Sequence, residues 1–157
     1  MTGGGSSIPE VQRLLQVLAA GKRCAETGTA FGEGAAAIAS VAASLVTVER
    51  DRERAAIAAE RLEGFDNVEL IVGDWREHLP DRAPFEFLFF DAGKFDEAVD
   101  AIDLVAPGGV LLKDDLTPER PGPDPVRELL FSHPQLIAVE ILTTPQTAAI
   151  VASRRTL

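Results

Sequence analysis

One stretch, Glu26-Thr27-Gly28-Thr29-Ala30-Phe31-Gly32-Glu33-Gly34, constrains this chain more than any other. An apolar-leaning run, Arg23-Cys24-Ala25, leads into an acid, then into glycines, then into the small-residue segment Ala35-Ala36-Ala37-Ile38-Ala39. That order reads as strand, tight loop, helix. Glycine lacks a Cβ and tolerates positive φ, so a loop of this kind lets a ligand reach the backbone. A second strand-like run, Ser44-Leu45-Val46-Thr47-Val48, ends on another acid, Glu49. An acid about twenty residues beyond a glycine loop is placed to accept hydrogen bonds from ribose hydroxyls. Together these features describe a nucleoside site in an open α/β sheet.

The rest of the chain repeats the alternation. Ser7-Ile8-Pro9-Glu10 reads as a helix start, with Ser7 as cap and Glu10 closing a capping box. Val11, Leu14, Leu15 and Leu18 then share one helical face, and Gly21 ends the helix. Strands are predicted at 23–26, 44–49, 68–72, 85–90 and 110–112, with helices at about 33–43, 50–62 and 95–105. The run Phe85-Glu86-Phe87-Leu88-Phe89-Phe90 is apolar enough to be buried on both faces of a parallel sheet. Pro107-Gly108-Gly109 is predicted as a turn. A helix capped by Asp124 and opened by Pro125 precedes two last strands, 136–142 and 147–152, which pair antiparallel. Strands alternating with helices imply a doubly wound, mostly parallel α/β sheet, whose ligands bind beyond the carboxyl ends of the strands.

Bulk properties narrow the function. A chain of 157 residues suits one domain, read as residues 8–157 after a flexible tail at 1–7. The tail has neither a basic end nor an apolar stretch, so no signal peptide is expected, and a cytoplasmic location follows. No apolar run is long enough to span a bilayer. Cys24 is the sole cysteine, which rules out an internal disulfide and a multi-cysteine zinc site. A formal net charge of −10, with basic residues scattered among acids, argues against a nucleic-acid partner. His78 and His133 are isolated in polar turns and read as surface residues.

The glycine spacing, Gly28-x-x-x-Gly32-x-Gly34, is not the dinucleotide pattern. A pyrophosphate beside Glu26 and Glu33 would meet like charge, at about 1–4 kcal/mol per close pair in a wet site. A sulfonium cation would be favoured by the same field. S-adenosylmethionine therefore suits these residues better than NAD.

On these residues the chain resembles the class I methyltransferases that bind S-adenosylmethionine. Within them it is similar to the small, cation-dependent O-methyltransferases related to catechol O-methyltransferase. The resemblance spans residues 7–152 and implies a single domain with strand order 3-2-1-4-5-7-6. It implies a cofactor loop at Glu26, Thr27, Gly28, Thr29, Gly32 and Gly34, a ribose contact at Glu49, a further cofactor contact at Arg50, and an adenine contact at Asp74 and Trp75. It makes Asp91 both a cofactor neighbour and, with Asp114 and Asp115, a ligand of Mg²⁺. Lys94 would accept the proton of an acceptor hydroxyl. The partner implied is a small-molecule methyl acceptor. The chain departs from the family by carrying Asp114-Asp115 where Asp-Asn is usual, and Gly34 where a hydroxyl residue is frequent. It is also short ahead of the core, which implies an open pocket or one closed by a second copy in a homodimer. Two other readings stay open: a non-catalytic S-adenosylmethionine-binding module, and a tRNA-modifying enzyme of the same family.

Overall fold

The computed structural model describes residues 7–91 and 93–156. The expected tail at 1–7 lies outside them except for Ser7, as does Ala92. The order of elements is α1 (Pro9–Ala19), β1 (Arg23–Thr27), α2 (Glu33–Ala39), β2 (Ser44–Glu49), α3 (Arg52–Leu62), β3 (Val68–Val72) and α4 (Trp75–His78). A 3-10 turn at Pro80–Arg82 follows, then β4 (Phe85–Phe90), α5 (Phe95–Asp103), β5 (Val105–Leu116), α6 (Pro125–Ser132), β6 (Leu136–Thr144) and β7 (Thr147–Arg154). Seven strands form one sheet in the order β3-β2-β1-β4-β5-β7-β6. The first five run parallel, and β7 pairs antiparallel with both β5 and β6. The predicted fold class and strand order are both present. No helix among the described residues is long and apolar enough to cross a membrane.

Each face of the sheet carries its own core. Phe87 and Phe89 of β4 face Val11, Leu15, Ile38 and Leu62 under α1, α2 and α3. Leu88 and Phe90 face Trp75, Ala98, Ile102 and Leu130 under α4, α5 and α6. Five of the six β4 residues are fully buried apolar side chains. That is the composition a strand needs when helices cover it on both sides. Cys24 of β1 is equally buried, and burial pushes its thiol up to about 12, so it packs as a small hydrophobe.

Several boundaries differ from the sequence expectation for identifiable reasons. Ile8, not Ser7, is the N-cap of α1, and no side chain caps it. The Ser7 carbonyl instead accepts from the Gln12 amide at 2.7 Å. Helix α2 stops at Ala39 because the Asn67 side chain donates to the carbonyls of Ala39 and Ala42. Helix α3 begins at Arg52, since Asp51 Oδ1 accepts from the backbone of Glu53 and Arg54. Pro107-Gly108-Gly109 does not end a strand. It lies inside β5, where the register jumps from Phe85↔Val105 to Phe87↔Val110 and the extra residues bulge out of the ladder.

Strand order reverses at β1, which lies between β2 and β4. The crevice beyond the carboxyl ends of β1, β2 and β4 is where such a sheet binds ligands. The loop entering it is pinned at both ends. Gly28 and Thr29 N–H groups donate to the Val48 carbonyl at 2.9 and 3.1 Å. Gly32 caps α2 at φ +87°, where a Cβ would stand 3.1 Å from Ala58 Cα. Gly32→Ala should therefore cost about 1–2 kcal/mol from the left-handed backbone, before any shift of Ala58. A thermal melt should fall by about 3–6 °C. Gly64→Ala, with nothing within 4 Å of its Cβ and no positive φ, should not. Equal melting of the two variants would contradict this account of the loop.

Candidate active site

Two adjoining clefts open along the carboxyl edge. The larger, about 340 Å³, is lined by Gly28, Val48, Glu49, Arg50, Arg54, Gly73, Asp74, Trp75 and Glu97. The other, about 130 Å³, is lined by Ser7, Ile8, Val11, Glu26, Thr29, Gly34, Asp114 and Thr147. Ala30, Asp91 and Asp115 line both, so the clefts meet at those residues. One trough results, with Glu49 and Trp75 towards one end and Glu26 towards the other.

At the first end, Glu49 is held by the loop and by its own strand. Its Oε2 accepts from the Ala30 N–H at 2.7 Å, and its Oε1 from the Asp51 N–H at 2.9 Å. Each oxygen keeps a further lone pair for a ligand. Asp74 caps α4 through the Arg76 N–H and pairs with Arg50 at 2.8 Å. Trp75 is buried edge-on against Phe90, so it walls the cleft and also belongs to the core.

At the second end, Glu26 is 1% exposed. Burial raises its pKa well above the ordinary carboxylate range, and the Thr47 hydrogen bond acts against that shift. A Cβ on Gly34 would stand 2.8 Å from Glu26 Oε2 and 3.2 Å from Phe89. Glycine at 34 thus leaves the space that the Glu26 carboxylate occupies, which explains the departure noted in the sequence.

Where the clefts meet, Asp91 and Asp114 lie within hydrogen-bonding reach of each other. Burial, then repulsion from Asp114, raises the Asp91 pKa to about 7. Burial also raises that of Asp114, whose Oδ1 has no partner among the donors nearby. Two buried carboxyl groups can face each other when one proton lies between them. Lys113, which sequence reasoning missed, sits beside them. Its Nζ donates to the Asp91 carbonyl at 3.1 Å and lies 5.7 Å from the Phe90 ring centre. Its only sequence signal was its place at the end of a strand, next to the acid pair.

The predicted residues divide. Glu26, Gly28, Thr29, Gly34, Glu49, Arg50, Asp74, Trp75, Asp91, Asp114 and Asp115 all line the trough. Thr27 and Gly32 are buried and shape the loop from behind. Lys94 is exposed at the N-cap of α5, where its N–H donates to Glu97, and it lines neither cleft. The three aspartates are not gathered as the Mg²⁺ expectation requires. Asp115 is exposed at φ +57°, and among the described residues no three His, Cys, Asp or Glu side chains form a metal site. These residues do not fit a resident dication.

Comparison with known proteins bears on this geometry. The family model described as protein-L-isoaspartate(D-aspartate) O-methyltransferase matches residues 7–113. The protein-L-isoaspartate O-methyltransferase of Koribacter versatilis is 36% identical over 103 residues, covering 63% of this chain and 46% of that protein. That of Xanthobacter autotrophicus is 39% identical over 89 residues, covering 55% and 41%. The chain thus spans less than half the length of these relatives. Among solved structures, the O-methyltransferase TomG from Streptomyces achromogenes, involved in tomaymycin synthesis and solved with S-adenosylmethionine, superposes with a TM-score of 0.77 at 26% identity. That match covers 96% of this chain and 82% of TomG. The Bacillus cereus O-methyltransferase, solved with S-adenosylhomocysteine, gives a TM-score of 0.77 at 24% identity, over 96% of this chain and 83% of its own, and shows the fold.

The acid pair has a pH signature. Raising the folded pKa of Asp91 from 3.8 to about 7 gives the native state a proton that the unfolded chain loses earlier. That contribution is fully present below about pH 4 and is lost as pH rises to about 7. Asp91→Asn keeps a neutral side chain throughout. Urea unfolding of the ligand-free proteins should find them alike near pH 4, with the variant gaining relative stability up to pH 7 and level above. A gap that ignores pH would contradict the burial of this carboxyl.

Proposed function

The chain belongs to the protein-L-isoaspartate(D-aspartate) O-methyltransferase family, and from that premise we propose that it is an S-adenosylmethionine-dependent methyltransferase acting on an oxygen of a small, uncharged acceptor. The observation that carries this reading is the continuity of the two clefts through Ala30, Asp91 and Asp115. A trough with a ribose-type acid at one end and a buried carboxyl at the other matches a nucleoside joined to a cationic tail. Glu49 takes the ribose hydroxyls, Arg50, Asp74 and Trp75 border the base, and the cleft lined by Glu26 and Gly34 takes the amino-acid end.

When bound, S-adenosylmethionine supplies a methyl group activated by a sulfonium centre. The chain's own part is to hold, orient and deprotonate. Asp91 lines both clefts with Asp114 in hydrogen-bonding reach, and a carboxyl with a pKa of about 7 is suited to take the acceptor proton near neutral pH. The fixed negative field there favours a cationic donor over an anionic one. Much of the rate gain would come from alignment of acceptor and methyl. The reading uses no metal step, because the aspartates are not gathered to hold one.

Family membership favours a second acceptor, the isoaspartyl carboxylate of a protein. The charge of the site opposes it. A carboxylate beside Asp91 and Asp114 would be repelled by about 1–4 kcal/mol per close pair. The family match also ends at Lys113, one residue before Asp114 and Asp115, and so leaves out half of the acid cluster.

Calorimetric titration tests the cofactor half. S-adenosylhomocysteine should bind at micromolar concentration and NAD should not. Glu49→Ala should weaken the former by about tenfold or more, from the loss of hydrogen bonds to a charged group. No heat from folded protein would sink the methyltransferase reading. Transfer of labelled methyl tests the acceptor half, with neutral hydroxyl compounds set against an isoaspartyl peptide. Transfer to the peptide alone would reverse the acceptor and leave the cofactor standing.

A further inference from the structure

A chain of three buried side chains runs behind the trough. Thr47 of β2 is fully buried and lines neither cleft. Its hydroxyl donates to Glu26 Oε1 at 2.6 Å and also lies 2.6 Å from the Thr29 hydroxyl. A hydroxyl has one proton to give. With that proton on Glu26, the Thr29 hydroxyl must be the donor to Thr47. The order is therefore Thr29 to Thr47 to Glu26, and both ends line the cleft at Glu26 and Gly34.

The direction of the chain fixes what the cleft presents. Thr29 has spent its proton, so only its lone pairs are left for a ligand. Glu26 accepts as well. Glu26 and Thr29 therefore both offer acceptors to the cleft they share with the Ser7 hydroxyl, which suits an ammonium group.

Resting on the reading that the trough holds S-adenosylmethionine, we propose that Thr47 is a positioning residue for the amino-acid end of the cofactor. It never touches the ligand. It fixes Glu26 and Thr29 relative to each other and keeps both as acceptors facing the cleft. Burial works to protonate Glu26, and the Thr47 hydrogen bond opposes it. Without that bond Glu26 becomes a donor or turns away, and the ammonium loses its partners.

The test is Thr47→Val, which keeps the shape and suits a strand. Two probes separate the ends of the trough: S-adenosylhomocysteine, and 5′-methylthioadenosine, which lacks the amino acid. Thr47→Val should weaken the first by about tenfold while the second stays within about twofold. Thr47→Ser, which restores the hydroxyl, should recover the wild-type affinity for both. Equal weakening of both probes would overturn the proposal, since it would mark a general loss of loop structure. So would unchanged binding of S-adenosylhomocysteine. Should Thr47→Val fail to fold, Thr47→Ala carries the same comparison. Failure of the wild-type protein to bind either probe would instead strike at the cofactor reading itself.

Discussion

A carboxyl group buried at the end of the central strand organises this molecule. Glu26 closes β1 with 1% of its surface exposed. An ionised carboxylate in such a place is costly unless it is hydrogen-bonded and balanced by a cation. The hydrogen bond comes from Thr47, one strand away. The space comes from Gly34, where any Cβ would collide with it. Among the described residues no side-chain cation is bonded to it, and the charged neighbours that act on it are Asp91, Asp114 and Glu49, which repel it. The charged groups around Glu26 are thus all acidic, and the proposed cationic ligand would answer them.

Much of this was legible in the chain. The alternation of strands and helices, the apolar run of β4 and the turn chemistry around Asp124-Pro125 each act locally, so they survive in a single sequence. The order of acids was also readable, because in a parallel sheet every strand delivers its last residue to the same edge. Glu49 and Asp74 are examples. What sequence could not give was convergence. Asp114 and Asp115 are neighbours in the chain, yet one is buried against Asp91 and the other is exposed with positive φ. The ladder is broken between Lys113 and Leu116, with Asp115 in the left-handed region, so a pair of acids in sequence need not be a pair in space. Lys94 followed the acid closely, but the chain had already turned into α5 and carried it out to solvent. Lys113 and Thr47 became visible only once strand register had set them beside Asp91 and Glu26.

The comparisons divide along the chain in the same way. The family match covers the nucleoside half and stops at Lys113. Beyond it lie the residues that complete the acid cluster and the β6–β7 hairpin. The likeness to solved O-methyltransferases extends over 96% of the chain.

The central claim is that the two clefts are halves of one site. A crystal structure with S-adenosylhomocysteine tests it most directly. The account predicts adenosine beside Glu49 and Trp75, the sulfur near Asp91, and the amino group facing Glu26 and Thr29. Ligand bound elsewhere, or an amino-acid tail directed away from Glu26, would contradict it.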